Sequence, residues 1–293
     1  MTKRNLAASV RARLINKAKK DGVNFQRLLV RYALERLLYR LSISPEKDHF
    51  LLKGALLFDL WYDVPLRPTR DIDLLGFGLA EIPHLVAVFE GICLLDVDDG
   101  ITFDVKSLKA EDIRKESNYS GTRLTLTGVI DNAKCPVQID IGFGDAVTPA
   151  PELAIYPVMF DGMPAPSLRV YPRYTVVAEK LEAIITLGMA NTRMKDYFDL
   201  WVILRDTTLD QKILSQAVVA TLTNRRTKMP NDFPVGLSEQ FWADNQKIIQ
   251  WNAFVNRNNL TAESLGNTVR YLRDALAVIF QGINVSAGGQ SPD

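Results

Sequence analysis

The sequence predicts an α+β protein, because the spacing of its apolar residues changes twice along the chain. The spacing is helical in residues 1–40, alternates between 71 and 143, and is helical again from 175 to 281. This order predicts helices, then a mixed sheet, then a helical C-terminal lobe, with domains at 1–173 and 174–293. The apolar content of 47% and charged content of 24% are typical of a globular protein, and no apolar run is long enough to span a membrane.

Two helices are predicted at the N-terminus. The first covers residues 5–20 and ends at Asp21-Gly22, and Asn24 is placed to cap the second. A short helix is expected from about 54 to 61, broken by "VPLRP".

Four strands are predicted next, in "DIDLLGF", "GITFDVKSL", "TRLTLTGVI" and "PVQIDIGFGD". The last two are expected to pair as an antiparallel hairpin around Asp131-Asn132. Proline-rich residues 148–173 predict an extended connector, and "SAGGQSPD" at the C-terminus predicts disorder. Helices are expected at 175–188, 192–205, 210–224, 236–255 and 262–281.

The charge is distributed unevenly. Residues 1–40 contain eleven Lys or Arg and two acidic residues, which leaves 24 basic and 32 acidic residues in the remainder. The asymmetry suggests that the basic helices meet a polyanion; a solvated helix face, or docking on the acidic remainder, are the alternatives. The side chains expected to bind nucleic acid are Arg11, Arg13, Lys17, Lys19, Lys20, Arg27 and Arg31.

The cysteines and the N-terminus indicate a cytoplasmic protein. Cys93 and Cys135 both have apolar neighbours, which favours reduced thiols over a disulfide between them. The N-terminal "MTKRNLAASVRARL" lacks the apolar core of a signal peptide.

Three aspartates are candidates for a metal site. Asp71 and Asp73 point to one face of their predicted strand, and Asp140 lies on the polar face of a later strand. Their convergence would suit Mg²⁺ or Mn²⁺, which can activate an attacking hydroxyl and stabilise a leaving oxyanion. The alternative is that they are separate, solvated strand residues.

Two lysines sit among apolar residues. Lys180 is the one charge in the apolar stripe of its predicted helix, so it either snorkels to solvent or meets an anion. Lys53 directly precedes Gly54, where a helix is expected to begin, and a helix N-terminus with a lysine favours phosphate binding.

The segment "NTRMKDYFDLW" adds Lys195, Asp196 and Asp199 near the start of another helix. Lys195 and Asp199 could form a surface pair. Alternatively, Asp196 and Asp199 share a helix flank and orient a lysine or a nucleotide.

With these residues collected, the sequence resembles the AbiEii/AbiGii toxin nucleotidyltransferases, within the DNA-polymerase-beta-like superfamily. The matching pieces are "LLKGALLFDLW", "RPTRDIDLL", "VQIDIGFGDAVTP" and "YPRYTVVAEKLEAIITLGMANTRMKDYFDLW", in order across about 50–205. One departure is Lys53-Gly54-Ala55, which stands where the broader superfamily usually carries Gly-Ser, so no role of that serine is transferred.

The resemblance implies a bilobed nucleotidyltransferase-like fold, a mixed sheet flanked by helices with a helical C-terminal lobe over a cleft. It implies that Asp71 and Asp73 bind metal, with Asp140 as the third carboxylate, and that Lys53 and Lys180 contact phosphates opposite Asp196. The expected catalytic residues are Asp71, Asp73, Asp140, Lys180 and Asp196; those expected to bind nucleotide are Lys53, Gly54, Thr69, Arg70, Lys180, Lys195 and Asp199.

The resemblance also implies a function. It predicts a toxin of a toxin–antitoxin or phage-defence system that transfers NMP from an NTP to RNA, with the tRNA 3′ end as the expected acceptor. The expected partner is a winged-helix antitoxin, often without a stable complex. Two alternatives stay open: a transferase that nucleotidylates protein, and a catalytically silent module that binds nucleic acid or a partner.

Overall fold

A computed structural model describes residues 3–62, 69–114 and 120–280, and it has the predicted α+β class. The chain divides into two compact units. The first comprises residues up to Gly144 together with Glu152–Tyr171, and the second comprises Asp145–Pro151 together with the chain from Pro172 onward. The expected break at "VPLRP" and the expected disorder of "SAGGQSPD" fall on residues outside the described ranges.

The first unit contains four α-helices within its described residues: α1 Lys3–Asp21, α2 Phe25–Ile43, α3 Leu57–Trp61 and α4 Ile82–Leu94. The predicted cap of α2 is confirmed, because the Asn24 side chain accepts hydrogen bonds from the amides of Gln26 and Arg27. Short 3₁₀ helices lie at Pro45–His49 and Gly54–Leu56.

The same unit holds a seven-stranded mixed sheet. Its strands are β1 Phe50–Lys53, β2 Asp71–Gly76, β3 Thr102–Arg114, β4 Ser120–Ile130, β5 Ala133–Phe143, β6 Glu152–Ile155 and β7 Ser167–Val170. The spatial order is β3-β4-β5-β2-β1-β7-β6. The β2–β5 and β1–β7 pairs are parallel and the other pairs are antiparallel.

The predicted β4–β5 hairpin is confirmed. Its strands pair in register on both sides of Asp131, which has a left-handed φ of 54°. The apolar face of β5 is covered along most of its length, since Val137, Ile139 and Ile141 are buried and Phe143 is half-buried. Because side chains alternate along a strand, burial of the apolar face of β5 directs its polar side chains to the opposite face of the sheet.

Three expectations for the first unit were incomplete. The proline-rich stretch 148–173 is not wholly a connector, because its two short runs β6 and β7 extend the sheet beside β1. Strand β1 was not predicted, since its four residues are all buried and show no alternation. Helix α4 was also missed, although Leu85, Phe89 and Ile92 recur at helical spacing and are buried.

The second unit is helical. Its α-helices are α5 Arg173–Leu187, α6 Met194–Asp206, α7 Gln211–Asn224, α8 Glu239–Trp242, α9 Asn245–Asn258 and α10 Leu265–Ala275. The single helix expected over 236–255 is wrong, because Asp244 interrupts it and caps α9 by accepting from the Lys247 amide. Among the described residues of the chain, no helix has both the length and the apolar character required to cross a bilayer.

Candidate active site

The three predicted aspartates come together on one face of the sheet. Asp71 and Asp73 lie on β2, and the parallel pairing of β2 with β5 sets Asp73 directly beside Asp140. One carboxylate oxygen from each of the three residues lies within 4.8 Å of the oxygens from the other two. The intervening Ile72 is 1% exposed, which confirms that the residues between the aspartates face the core.

Strand register extends this arrangement into a row of charges. Lys53 pairs across strands with Asp73, Asp73 with Asp140, and Asp140 with Arg123. Directly paired residues of neighbouring strands point to the same face of a sheet. The row therefore reads positive, negative, negative, positive across β1, β2, β5 and β4, and we call these four residues the charged row.

Asp140 is held by groups that sequence reasoning did not identify. Arg123 donates from Nε to Oδ1 over 2.8 Å and from Nη2 to Oδ2 over 2.7 Å, a bidentate pair. Gln138 also donates from Nε2 to Oδ1 over 3.1 Å. The hydrogen bonds to Asp140 raise the pKa of Arg123 above its ordinary value, so the guanidinium charge is permanent.

Asp71 is oriented by a residue that lies just before the start of β2. The Thr69 hydroxyl donates to Asp71 Oδ1 over 2.6 Å, while the side chain of Arg70 is exposed. Thr69 was expected to bind nucleotide; its contact in the structure is with a candidate metal ligand.

Gly54 is required by close packing against Asp73. Its φ is +74°, and a Cβ added there would lie 1.9 Å from Asp73 Oδ2. No other L residue fits without displacing the Asp73 carboxylate.

The Lys53 ammonium group is buried at the end of β1. Its Nζ lies 3.4 Å from the hydroxyl of Tyr171 and 5.0 Å from the centre of that ring. Tyr171 is anchored in turn by its amide, which donates to the carbonyl of Leu52. The Tyr171 ring is therefore placed to stabilise the ammonium group of Lys53 through a cation–π contact.

The donor set fits a hard divalent cation. Mg²⁺ and Mn²⁺ prefer carboxylate oxygens, and three such ligands within one small region provide them. Asp71, Asp73 and Asp140, which we call the carboxylate triad, are the residues that would hold the ion.

In the second unit, Lys180 meets two aspartates. Its Nζ lies 2.7 Å from Asp196 Oδ1 and 2.8 Å from Asp199 Oδ2, and each aspartate is 1% exposed. Of the two alternatives for Lys180, the structure has the one in which it meets an anion, with α6 supplying the carboxylates to α5. Asp196 was expected to lie opposite Lys180, and this expectation is wrong, because the two side chains are in direct contact. The alternative of a surface pair between Lys195 and Asp199 is wrong, because Asp199 is buried whereas Lys195 is exposed.

A buried ionic cluster in the second unit escaped sequence analysis. Arg225 lies 2.8 Å from Asp145, 2.9 Å from Glu182 and 3.4 Å from Glu179. Burial alone would raise the pKa of Glu182, but hydrogen bonds from Thr186, Arg225 and Thr227 hold it below its ordinary value. The members come from three separate segments, so no local pattern in the sequence could reveal them.

The basic N-terminal helices are partly neutralised within the first unit. Arg31 pairs with Asp59 at 3.2 Å, and Arg40 forms a bidentate pair with Asp99. Other predicted members contact acidic or aromatic groups as well: Arg11 lies 3.9 Å from Asp131, Lys17 lies 2.9 Å from Asp21, and the Arg13 guanidinium lies 4.1 Å above the Phe160 ring. Lys19, Lys20 and Arg27 are exposed. The alternative interpretation, docking on acidic groups elsewhere in the chain, therefore describes Arg31 and Arg40.

Comparison with known proteins gives a consistent result. The profile of a family described as nucleotidyl transferase AbiEii toxin, type IV toxin–antitoxin system, matches residues 36–278. The fold is similar to the crystal structure of JHP933 from Helicobacter pylori, with 15% identity, a TM-score of 0.52, and coverage of 90% of this chain and 96% of that chain. It is similar to a second H. pylori structure, described provisionally as a nucleotidyltransferase, with 15% identity, a TM-score of 0.51, and coverage of 90% and 99%. No curated protein matches the sequence.

These likenesses confirm the predicted fold class. At 15% identity the two structures inform on the fold alone, a mixed sheet flanked by helices of the nucleotidyltransferase type. The family match covers most of the chain and includes all three members of the carboxylate triad.

Proposed function

This chain belongs to the AbiEii nucleotidyl transferase toxin family of type IV toxin–antitoxin systems, and from that premise we propose that it transfers a nucleoside monophosphate from an NTP to an RNA acceptor. The acceptor we favour is the 3′ end of a tRNA. The observation that carries the proposal is the carboxylate triad, gathered on one sheet face with Lys53 in register beside it.

The proposed reaction is an in-line displacement. An acceptor hydroxyl attacks the α-phosphorus of the NTP, a new P–O bond forms, and the bond to the bridging oxygen breaks to release pyrophosphate. Mg²⁺ or Mn²⁺, when bound, would lower the pKa of the hydroxyl and stabilise charge on the leaving oxygen. Asp140 is the candidate to receive the hydroxyl proton, because Arg123 and Gln138 fix its orientation.

Five further residues of the first unit have proposed roles in this reaction. Asp71 and Asp73 would hold the ion together with Asp140, with Thr69 orienting Asp71. Lys53 would offset the negative charge that builds on the phosphates in the transition state. Gly54 would keep the Asp73 carboxylate in place because its missing side chain makes room for it.

In the second unit, Lys180 is proposed to serve the nucleotide phosphates, with Asp196 and Asp199 holding its ammonium group in place. What supports this assignment is the resemblance of residues 171–201 to the family. Lys195, which is exposed, is proposed as a further nucleotide contact.

RNA and an antitoxin are the proposed partners. Exposed Lys19, Lys20 and Arg27 are the N-terminal residues best placed to meet an RNA backbone, since their charges face solvent. The type IV toxin–antitoxin family implies an antitoxin; we propose a winged-helix protein that forms no stable complex with this chain.

The test is a transfer assay with each labelled NTP, Mg²⁺ and total RNA, resolved on a gel. The native protein should label RNA of tRNA size, and Asp71→Asn should lose at least ~100-fold of the rate because a metal ligand is gone. Circular dichroism and thermal unfolding should show that Asp71→Asn is folded.

Three results would contradict the proposal. Undiminished transfer by folded Asp71→Asn would remove the metal mechanism. Label entering protein in place of RNA would change the acceptor class. Salt-sensitive RNA binding that survives the substitution, with no NTP turnover by the native protein, would identify a binding module.

A further inference from the structure

Asp140 is in contact with a cation supplied by the protein itself. Both of its oxygens accept from Arg123, at 2.8 and 2.7 Å, and one of these oxygens also accepts from Gln138. Asp140 is at the same time one of three carboxylates whose oxygens lie within 4.8 Å of one another. The same oxygens are thus within reach of a guanidinium and of any ion bound by the triad.

We propose that Arg123 sets the affinity of the carboxylate triad for a divalent cation, because it neutralises Asp140 and competes with the ion for that carboxylate. The inference rests on the proposed function, which places the ion at the triad. Arg123 is a positioning residue in this scheme, since it acts through Asp140.

The charges of the carboxylate triad and of the two cations beside it, Lys53 and Arg123, support this role. Three carboxylates with Lys53 and Arg123 carry a formal charge of −1, whereas the same set without Arg123 carries −2. A divalent cation is attracted less strongly by the first set than by the second. Like charges this close repel each other, so Arg123 also stabilises the metal-free sheet.

Arg123 has room to respond when the site is loaded. One third of its side chain is exposed, and the second carboxylate near it, on Glu111, is 3.9 Å away and 68% exposed. The guanidinium can turn toward solvent or toward an incoming phosphate without leaving a buried cavity. The main-chain register of β4 with β5 keeps it opposite Asp140 whatever its rotamer.

The role of Arg123 predicts the order in which the metal ion and the nucleotide bind. With Asp140 held by Arg123, the triad should bind free ion weakly, and firm binding should need the phosphate oxygens that a nucleotide brings. The enzyme would then take up metal and NTP together.

The experiment is a Mn²⁺ titration without nucleotide, followed by the electron paramagnetic resonance signal of free Mn²⁺. Arg123→Gln should bind Mn²⁺ about tenfold more tightly than the native protein, because a positive charge next to the ion has been removed. Arg123→Lys keeps the charge but loses the bidentate fork, so its affinity should lie between the two. Arg123→Gln combined with Asp140→Asn should return toward the native affinity.

A matched control is available elsewhere in the chain. Arg205 forms a bidentate pair with Asp206, at 2.6 and 3.0 Å, at the end of α6. Arg205→Gln removes an equivalent pair far along the sequence from the triad and should leave Mn²⁺ affinity unchanged. Thermal unfolding in EDTA and in Mn²⁺ gives a second readout, in which Arg123→Gln should gain more from the ion than the native protein does.

The outcomes separate the inference from the proposed function. If Asp71→Asn loses Mn²⁺ binding but Arg123→Gln binds no better than the native protein, the role of Arg123 is wrong and the metal site stands. If Asp71→Asn binds Mn²⁺ as the native protein does, or if no variant binds it, the metal site and the inference both fall. If Arg123→Gln does not fold, Arg123→Lys decides, and weaker binding than native overturns the inference.

Discussion

At the scale of single residues, the site depends on a position where a side chain is missing. Gly54 combines a φ of +74° with a Cβ direction that points into the Asp73 carboxylate. Either feature alone would favour glycine; together they mean that this residue sets where Asp73 can lie.

Gly54→Ala is therefore expected to disturb both stability and metal binding. The left-handed backbone should cost about 1–2 kcal/mol, and moving Asp73 away from the new methyl group should cost more. Urea unfolding and Mn²⁺ titration of the same preparation measure the two effects.

Gly22 provides the matched control. It has a similar φ of +64°, but nothing lies within 4 Å of an added Cβ. Gly22→Ala should lose only the backbone part, about 1–2 kcal/mol, and keep native Mn²⁺ affinity. Equal losses in the two variants would show that the contact with Asp73 has no energetic weight.

At the scale of secondary-structure elements, Lys180 joins two helices. Its ammonium group on α5 lies beside two α6 aspartates that are each 1% exposed. Removing one partner of a buried ion pair destabilises a protein strongly, because the remaining charge is left buried without its partner. Replacing the whole pair by apolar residues is often close to neutral.

Lys180→Met should lower the free energy of unfolding by about 3–5 kcal/mol, because two carboxylates stay buried without the lysine. Differential scanning calorimetry measures the change. Exposed Lys195→Met, on α6 itself, should alter stability by no more than about 0.5 kcal/mol. If the two variants are equally stable, the Lys180 pairs contribute nothing to the packing of α5 on α6.

The elements also show what the sequence can and cannot specify. Alternation identified β2 and β5, and hence the shared face of Asp71, Asp73 and Asp140, because one side of each strand had to be apolar. The Asp131-Asn132 turn could have identified Arg123 too, since Arg123 precedes Asp131 by the same number of residues by which Asp140 follows Asn132.

Other features had no local signal. Strand β1 is buried along its length and so lacks alternation, and β6 and β7 are short runs among prolines whose strand character comes from pairing. The Arg225 cluster brings together a loop residue, two glutamates from the middle of α5 and the C-terminal end of α7. Such contacts depend on how segments distant in sequence pack, which a periodicity does not encode.

At the scale of the whole molecule, this cluster makes stability depend on pH. Glu182 has a folded-state pKa below its ordinary value of 4.5, so it stabilises the native state above that pH. The contribution is lost as the pH falls through the lower, folded-state value. Arg225, Thr186 and Thr227 are the groups that create it.

Glu182→Gln should therefore be less stable than the native protein at neutral pH, with a difference that narrows as the pH falls below about 4.5. Thermal unfolding between pH 3 and 8 follows the difference; we expect it to reach about 1–3 kcal/mol near neutrality. Exposed Glu239→Gln should follow the native curve within about 0.5 kcal/mol. If the stability difference between Glu182→Gln and the native protein stays constant across this pH range, the lowered pKa of Glu182 is not its cause.

The charged row has a consequence for when the candidate active site can form during folding. Lys53, Asp73, Asp140 and Arg123 belong to four strands that lie between residues 50 and 143, and a slip of one residue in any pairing would send a side chain to the opposite face. A chain in which one of these strands is unpaired or misaligned would therefore contain all four side chains without bringing them to one face. The proposed active site is complete only when the last of these strands has paired.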